Sequence, residues 1–287
     1  MDQSVKDSIQ PPAGGLDVQT WVILGGGAAK GFAHVGAWKA IQEADIPVAG
    51  IVGTSTGAIM GAAIAGGRTV EELEEYVAQL RRRDVMRVNR RAVWVNGIRS
   101  RSVLRGDTLR QSILDLLPTE HWSELTIPLI VNAVDLASGE MVWFGYGGDQ
   151  DVALVDSVYA SAALPVLFPP AEVGGRVFID GGVLDMLPLE RAWEMGATRV
   201  IAVDVGSGPR ADADAVVAGG LVAIHLRVFG LMAGRTRREA VRNWTGVPLT
   251  YVRPDFGDVD AFDFEKRGFF LEEGYRATRE ALAVPAV

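Results

Sequence analysis

Ser55 is the residue whose setting most clearly suggests chemistry. It lies in the pentapeptide Gly53-Thr54-Ser55-Thr56-Gly57, between a short apolar run and a string of small helix-forming residues. This order predicts a tight strand-to-helix turn, in which glycines two positions away leave room for a strained serine. The turn also brings the Thr56 amide and the positive helix end close to the Ser55 oxygen, where an oxyanion would develop. The pattern predicts a nucleophilic serine, and a glycine-rich turn with an inert serine is the alternative.

A glycine-rich loop earlier in the chain suggests anion binding. Gly25-Gly26-Gly27-Ala28-Ala29-Lys30-Gly31 follows a short apolar stretch, and consecutive glycines allow backbone amides to face a bound anion. The Walker A pattern requires a hydroxyl residue where Gly31 stands, and the dinucleotide pattern requires glycine where Lys30 stands. The loop therefore predicts an oxyanion or phosphate cradle that matches neither nucleotide motif. A purely structural turn is the alternative.

A carboxylate at the end of a predicted strand supplies a candidate base. The apolar run 177–179 leads into Asp180-Gly181-Gly182, and two adjacent glycines allow an open turn from which a carboxylate can face a cleft. By itself, Asp-Gly-Gly is more often only a turn. Its combination with a candidate nucleophile and a candidate anion cradle gives it functional weight.

Alternating strand and helix patterns predict the frame that positions these residues. Parallel strands at 20–24 and 48–52 would place the glycine loop and Ser55 at the same carboxyl edge of a sheet. The predicted fold class is α/β, with one domain over 17–287 after a flexible arm at 1–16. We predict further strands at 127–134, 140–144, 177–179 and, as the last strand, 199–205, and helices near 69–80, 107–117, 151–164, 216–229 and 269–283.

Composition limits the compartment and the partners. The chain has 287 residues and a net charge of −8, and this negative charge disfavours nucleic-acid binding. It has no cysteine, which excludes disulfides, a thiol nucleophile and cysteine-ligated metals. Residues 1–16 lack the features of a secretory signal, so we expect a cytoplasmic protein. The apolar run 215–234 is interrupted by His225 and Arg227, so we expect it to face lipid or a partner rather than to span a membrane.

The charge is distributed unevenly. Between Arg81 and Arg110, ten arginines against two aspartates give a local charge of +8 and leave −16 for the rest of the chain. Arginines interleaved with Trp94 and aliphatic side chains predict peripheral contact with an anionic membrane, and a solvated helix face and loop is an equal alternative. We expect this segment to be an insertion or cap over the site. The sequence leaves the oligomeric state open, and a homo-oligomer is compatible with it.

Together these motifs resemble those of the patatin-like phospholipases. The resemblance runs from about Trp21 to Val205 and rests on three motifs in order: the glycine loop, the Ser55 pentapeptide and the Asp180 turn. It implies a three-layer patatin-like fold with a mostly parallel central sheet flanked by helices. It also implies hydrolysis of a lipid or other acyl ester without a metal or cofactor.

The resemblance assigns roles to individual positions. It implies a catalytic dyad of Ser55 and Asp180 and a basic residue at Lys30. It further implies an oxyanion hole at the glycine loop, to which the turn geometry adds the Thr56 amide, so that the hole comprises Gly25, Gly26, Gly27 and Thr56. The supporting glycines are Gly53, Gly57, Gly181 and Gly182. One departure is Asp185-Met186, where many bacterial members have Asn-Pro, because an additional carboxylate can alter the field around Asp180.

Two other functions are compatible with the sequence. Ser55, Asp180 and His225 occur in the order of an α/β-hydrolase triad. However, His225 lies in an apolar helical run, where a packed or surface histidine is the simpler interpretation, and we interpret His34 and His121 as structural. The third possibility is a non-catalytic, membrane-peripheral regulator whose glycine loop only holds an anionic headgroup.

Overall fold

The computed structural model describes residues 18–90, 94–95, 97–206 and 211–286, so the arm predicted at 1–16 lies outside the described residues. The described part of the chain forms one eight-stranded sheet with helices on both faces. The strands are β1 (Thr20–Leu24), β2 (Val48–Gly53), β3 (Leu129–Asp135), β4 (Met141–Gly145), β5 (Ala171–Val173), β6 (Arg176–Asp180), β7 (Arg199–Val203) and β8 (Leu249–Val252). The helices are α1 (Ala33–Glu43), α2 (Thr56–Ala65), α3 (Val70–Gln79), α4 (Arg82–Val85), α5 (Gly106–Leu116), α6 (Leu154–Ala162), α7 (Leu189–Glu194), α8 (Ala213–Ala218), α9 (Gly220–Arg242) and α10 (Arg267–Leu282).

Most of the sheet is parallel. Strands β3, β2, β1, β7 and β8 lie side by side in that order, and each neighbouring pair is parallel. Strands β4 and β6 both run antiparallel to β3, and β5 pairs with β6. All five residues of β1 are buried, as expected for a strand covered on both faces. The predicted α/β class with a mostly parallel sheet is confirmed.

Alternate residues of the central strands pack into two hydrophobic cores, one on each face of the sheet. Val22 and Leu24 of β1 contribute to the larger core, whereas Trp21 and Ile23 contribute to the smaller one. Helices α1, α2, α3, α5, α6 and α10 cover the larger core, and α7 with the last turn of α9 covers the smaller one. The result is a three-layer arrangement of helices, sheet and helices.

The ends of β2 and β6 meet along one edge of β3. Val131 pairs with Gly53 of β2, and Ala133 pairs with Asp180 of β6. Because both Val131 and Ala133 also pair with β4, that strand occupies the opposite edge, and β2 and β6 share this one. One strand is parallel to β3 and the other antiparallel, so their carboxyl ends converge with only Asn132 between them. Sheet pairing therefore brings together two strand ends that are far apart in sequence.

Strand β8 is the main departure from the predicted element order. The hydrophobic pattern predicts the last strand at 199–205, but β7 ends at Val203 and β8 pairs with it as a further parallel strand. That prediction was wrong because β8 has only four residues and follows Pro248, so its hydrophobic pattern gives a weak signal. Tertiary pairing with β7 defines it as a strand.

Two helices show how well local signals predicted helix boundaries. Helix α3 begins with the expected capping box: Thr69 Oγ1 accepts from the Glu72 amide at 3.2 Å, and Glu72 Oε2 accepts from the Thr69 amide at 3.0 Å. Helix α9 continues to Arg242, well past the predicted end at 229, because its arginine-rich second half is also a good helix former. Across the described residues, no helix combines the length and apolar character needed to cross a bilayer.

Gly57 is fixed by the close approach of α2 to β1. A Cβ atom at Gly57 would overlap the carbonyl group of Leu24, which cannot move without disturbing the sheet. We expect Gly57→Ala to lower the free energy of unfolding by about 1–3 kcal/mol or more. The measurement is urea denaturation followed by circular dichroism.

Gly268 provides a matched control for this substitution. It also lies in a helix, α10, but a Cβ there meets no atom within 4 Å. Gly268→Ala should therefore stabilise the protein by roughly 0.5–1 kcal/mol, since alanine is the better helix former. Equal stability of the two variants would contradict the proposed packing around Gly57.

Candidate active site

Ser55 lies on a strained turn between β2 and α2. Its backbone has φ 55° and ψ −122°, a conformation that few residues other than glycine adopt. The Ser55 amide donates a hydrogen bond of 2.9 Å to Ser161 Oγ on α6, which holds the turn in place. A Cβ at Gly53 would lie 2.6 Å from the Ala58 Cα, so the turn needs a glycine there. The predicted strand–turn–helix geometry at Ser55 is present.

Asp180 lies at the end of β6, and its carboxyl group is close enough to the Ser55 side chain for that hydroxyl to lower its pKa. Its carboxylate is almost completely buried, with 1% of the residue exposed, and Oδ1 accepts a hydrogen bond of 2.8 Å from the Gly182 amide. Burial raises the pKa of Asp180 to about 7, and the hydrogen bonds from Ser55 and Gly182 oppose this increase. A carboxylate of this pKa can accept a proton near neutral pH.

Two buried polar residues that the sequence analysis missed position this pair. Ser161 Oγ lies 3.5 Å from Asn132 Oδ1, and Asn132 Nδ2 donates to the Asp185 carbonyl oxygen at 3.0 Å. Asn132 is fully buried at the point where β2 and β6 converge, and its side chain joins Ser161 on α6 to the chain that follows β6. A signal was available for Asn132, because it is the single polar residue in the apolar run Leu129–Val134. No comparable pattern marks Ser161.

The glycine loop lies beside Ser55, but its first amide is already occupied. The Gly25 amide donates to the Val203 carbonyl at 3.1 Å, which extends the pairing of β1 with β7, so the prediction of Gly25 as an oxyanion donor needs correction. Within the described part of the chain, the amides of Gly26 and Gly27 have no acceptor. A Cβ at Gly26 would lie 2.9 Å from the Ser55 Cβ, so the loop backbone directly adjoins the serine.

The remaining oxyanion candidate, Thr56, is the first residue of α2. Amides in the first turn of a helix have no carbonyl partner within that helix, so the Thr56 amide can serve a bound anion. Thr56, Gly26 and Gly27 are therefore the backbone donors that remain candidates for an oxyanion hole.

His34 holds the glycine loop from behind. Its ring is fully buried in α1, and Nε2 donates to the Gly25 carbonyl at 2.7 Å. Burial lowers the pKa of His34 to about 4, so this ring is neutral at physiological pH. The structural interpretation of His34 agrees with this geometry.

Lys30 connects the glycine loop to the chain that follows β8. It is 3% exposed, and its Nζ lies 5.5 Å from the centroid of the Phe256 ring. Burial lowers the pKa of Lys30, while the carboxylates of Asp258 and Asp260 raise it. The charge of Lys30 is therefore directed towards this C-terminal segment. The Ala29 amide donates to the Ala261 carbonyl at 2.8 Å, so the segment also braces the loop through the backbone.

An apolar cavity opens beside Ser55. Its walls come from α2, α3, α4, α5 and α6 and from the segment after β8. Tyr76 and Ser112 are among its polar lining residues, and their hydroxyl groups bond each other at 2.6 Å. The lining residues are Ala28, Ala29, Phe32, Ser55, Thr56, Ile59, Met60, Tyr76, Leu80, Val85, Met86, Leu109, Ser112, Ile113, Ala162, Leu164, Phe168, Phe262 and Phe264. Such a cavity suits a hydrocarbon chain whose reacting end lies at Ser55.

The arginine-rich segment contributes both to this wall and to the surface. Val85 and Met86 line the cavity, and the Leu104 amide donates to the Leu167 carbonyl at 2.8 Å. Several of its arginines form ion pairs with carboxylates, including Arg110 with Asp156 at 2.8 Å. Part of the +8 charge is therefore neutralised within the fold.

Neither His225 nor Asp185 has the effect on Ser55 and Asp180 that the sequence left open. Among the described contacts, none joins His225 to Ser55 or to Asp180, so the order Ser-Asp-His is not accompanied by triad geometry. The Asp185 carboxylate accepts from the Leu187 amide at 3.0 Å, and burial raises its own pKa to about 6. Among the described groups, it is not one of those that shift the pKa of Asp180.

Comparisons with known proteins agree with the motifs. The sequence model of the family described as "Patatin-like phospholipase" matches residues 22–193. An uncharacterized NTE family protein of Mycobacterium tuberculosis is 34% identical over 194 residues, which is 67% of this chain and 51% of that protein. Mouse patatin-like phospholipase domain-containing protein 7 is 28% identical over 90% of this chain and 20% of its own length. The chain thus spans about half or less of these relatives.

The fold has a solved counterpart. VipD from Legionella pneumophila superimposes with a TM-score of 0.51 and 15% identity, covering 93% of this chain and 67% of that one. At this identity the likeness concerns the fold alone.

The raised pKa of Asp180 predicts an unusual dependence of stability on pH. Between about pH 4 and pH 7, the folded state keeps a proton on Asp180 that the unfolded chain releases, so this carboxyl lowers stability as the pH rises through that window. Asp180→Asn removes the titration and should raise the melting temperature at pH 8 relative to the original protein, with little difference at pH 4. Differential scanning calorimetry at both pH values measures this. An equal shift at both values would contradict the raised pKa.

Proposed function

The chain belongs to the patatin-like phospholipase family, and on this basis we propose that it is a lipid acyl hydrolase, a serine esterase of phospholipase A-like or carboxylic-ester type. Ser55 is the nucleophile and Asp180 the general base of this proposal. The observation that supports it is that the buried Asp180 carboxyl lies near enough to the Ser55 hydroxyl to feel its influence, and that Ser55 lines an apolar cavity.

Acylation begins with proton transfer within this pair. Ser55 Oγ attacks the ester carbonyl carbon while its proton moves to the Asp180 carboxylate. The electron pair of the carbonyl π bond moves to the oxygen, and the amides of Gly26, Gly27 and Thr56 stabilise the resulting oxyanion. When the tetrahedral intermediate collapses, the alcohol leaves with the proton held by Asp180, and the acyl group stays on Ser55.

Deacylation repeats these steps with water as the nucleophile. Water gives a proton to Asp180 and attacks the acyl carbon, and the fatty acid leaves as Ser55 recovers its hydrogen. The neutral His34 takes no part in proton transfer, because its Nε2 hydrogen is committed to the Gly25 carbonyl. Its role is to hold the glycine loop against Ser55.

Burial of Asp180 is what gives a dyad a sufficient base. An aspartate in water has a pKa of about 3.9 and is a weak acceptor for a serine proton at neutral pH. With a pKa of about 7, Asp180 is a stronger base and is still ionised in a large fraction of molecules at neutral pH. No histidine is needed to make Ser55 reactive.

The segment Arg81–Arg110 serves, in this proposal, as a cap over the acyl cavity and as a peripheral contact with anionic membrane from the cytoplasmic side. Its wall residues Val85 and Met86 support the first role. Trp94, which is 89% exposed, and the exposed Val95 beside it support the second.

Replacement of either member of the dyad should abolish hydrolysis while preserving the fold. Ser55→Ala and Asp180→Asn should each lower kcat for p-nitrophenyl esters by about 10³-fold or more, since both groups act in the same step. Circular dichroism should remain unchanged. A Ser55→Ala enzyme that keeps its activity would refute the proposal.

A histidine variant and a covalent probe separate the competing functions. His225→Ala should retain the activity of the original protein if a dyad operates, whereas a Ser-Asp-His triad would lose it. A fluorophosphonate should label Ser55 in the original protein and not in Ser55→Ala. Absence of labelling would instead favour a non-catalytic lipid-binding protein.

Filling the cavity should alter the preference for acyl chain length. Ile59 lines the cavity one helical turn after Ser55, so Ile59→Trp takes up space that a longer chain needs. We expect the ratio of kcat/KM for the octanoyl ester to that for the acetyl ester to fall by about tenfold or more. Leu136→Trp, at an exposed position that does not line the cavity, is the control and should leave the ratio unchanged. An unchanged ratio in Ile59→Trp would place the acyl chain elsewhere.

A further inference from the structure

Helix α9 carries an exposed apolar face that the proposed reaction does not use. Leu221, Ile224, Val228 and Leu231 recur at intervals of three and four residues, so they share one side of the helix. They are between 40% and 77% exposed, and the neighbouring Met232 is 58% exposed. An apolar surface of this length in solvent marks an interaction site.

The same side of the helix becomes cationic towards its end. Arg235, Arg238 and Arg242 are exposed and continue the spacing of the apolar residues, and they face a single acid, Glu239, which pairs with Arg235 at 2.8 Å. The whole helix contains five arginines and one glutamate in a chain whose net charge is −8. We call this side of the helix, from Leu221 to Arg242, the α9 outer face.

The opposite side of α9 is anchored at the edge of the sheet where Ser55 lies. Arg237 is 5% exposed, and its Nε lies 3.1 Å from Oδ1 of the buried Asp204, just after β7. The helix also contacts the turn 181–183 that follows Asp180. These contacts place the helix next to the turn after Asp180 and leave its outer face directed to solvent.

From this arrangement we propose that the α9 outer face docks on the surface of an anionic lipid bilayer. The helix would lie in the interface, with its apolar half inserted among the acyl chains and its arginines at the headgroups. This placement would present the adjacent site to the membrane. The face is separate from Arg81–Arg110, and its binding to lipid does not depend on the identity of the nucleophile.

The distribution of charge favours a lipid surface over a second copy of the chain. Two outer faces paired in parallel would bring arginines against arginines. Paired antiparallel, they would set the arginines of one copy against the apolar half of the other. Neither arrangement provides the acidic complement that the cationic half requires. Anionic headgroups above an apolar layer complement both halves at once.

Vesicle binding by the Ser55→Ala protein tests the proposal without hydrolysis of the lipid. The probe is co-sedimentation with phosphatidylcholine vesicles prepared with and without phosphatidylglycerol. Leu221→Glu combined with Val228→Glu should weaken binding to the anionic vesicles by about tenfold or more. Leu136→Glu, at an exposed position outside the face, should bind as the parent does.

The cationic half has its own variant. Arg238→Gln with Arg242→Gln should lower binding to anionic vesicles by about tenfold and leave binding to neutral vesicles unchanged. Parental binding by the Leu221/Val228 variant would overturn the proposal. A dimeric mass of the original protein by light scattering, falling to a monomeric mass in the Leu221/Val228 variant, would also overturn it. The face would then be an interface between copies of the chain.

Activity distinguishes failure of this inference from failure of the proposed function. With Ser55 intact, the Leu221/Val228 variant should hydrolyse soluble p-nitrophenyl acetate at the original rate. It should hydrolyse esters embedded in vesicles more slowly than the original protein does. This experiment alone rests on the proposed function. Loss of both activities together would overturn a docking role for the face. An original protein that binds vesicles but hydrolyses neither substrate would refute only the proposed function.

Discussion

The meeting of β2 and β6 on one edge of β3 is the constraint on which the rest of the structure depends. It leaves a single residue of β3, Asn132, between two strand ends that arrive from opposite directions. The serine that follows one end and the aspartate that closes the other are consequently held by the hydrogen-bond ladder of the sheet. Their contact depends on backbone pairing, which is more rigid than a contact between loops.

Burial of Asp180 has opposite consequences for its reactivity and for the stability of the fold. It makes Asp180 a better base by raising its pKa, and it makes the folded state less stable at neutral pH for the same reason. Packing around Ser55 and Asp180 must offset this loss of stability. Gly57 allows α2 to contact β1, and the buried ring of His34 holds the glycine loop through Gly25. The strained backbone of Ser55 also lowers the stability of the fold, and the same contacts offset this strain.

The chain beyond β7 completes the site from the outside. After β8 it returns to the glycine loop, where Ala261 accepts a hydrogen bond from Ala29 and Phe256 packs against Lys30. It also supplies Phe262 and Phe264 to the cavity wall. The family match ends at residue 193, so these contacts come from a part of the chain outside the matched region. Under the proposed function, this segment can alter substrate preference without changing the strand pairing that holds Ser55 and Asp180.

The sequence by itself determined the α/β class, the three motifs and most of the elements that carry them. Those features depend on local signals: glycines at Ser55 and Asp180, apolar runs in β1 and β2, and the capping box of α3. Tertiary structure alone decided that the Gly25 amide bonds to the Val203 carbonyl and that 249–252 pairs as strand β8. It also decided that Asn132 and Ser161 lie beside Ser55 and Asp180. Each of these is a contact between residues distant in the chain. Such contacts leave no periodic pattern, because hydrogen bonding and burial depend on which strands become neighbours.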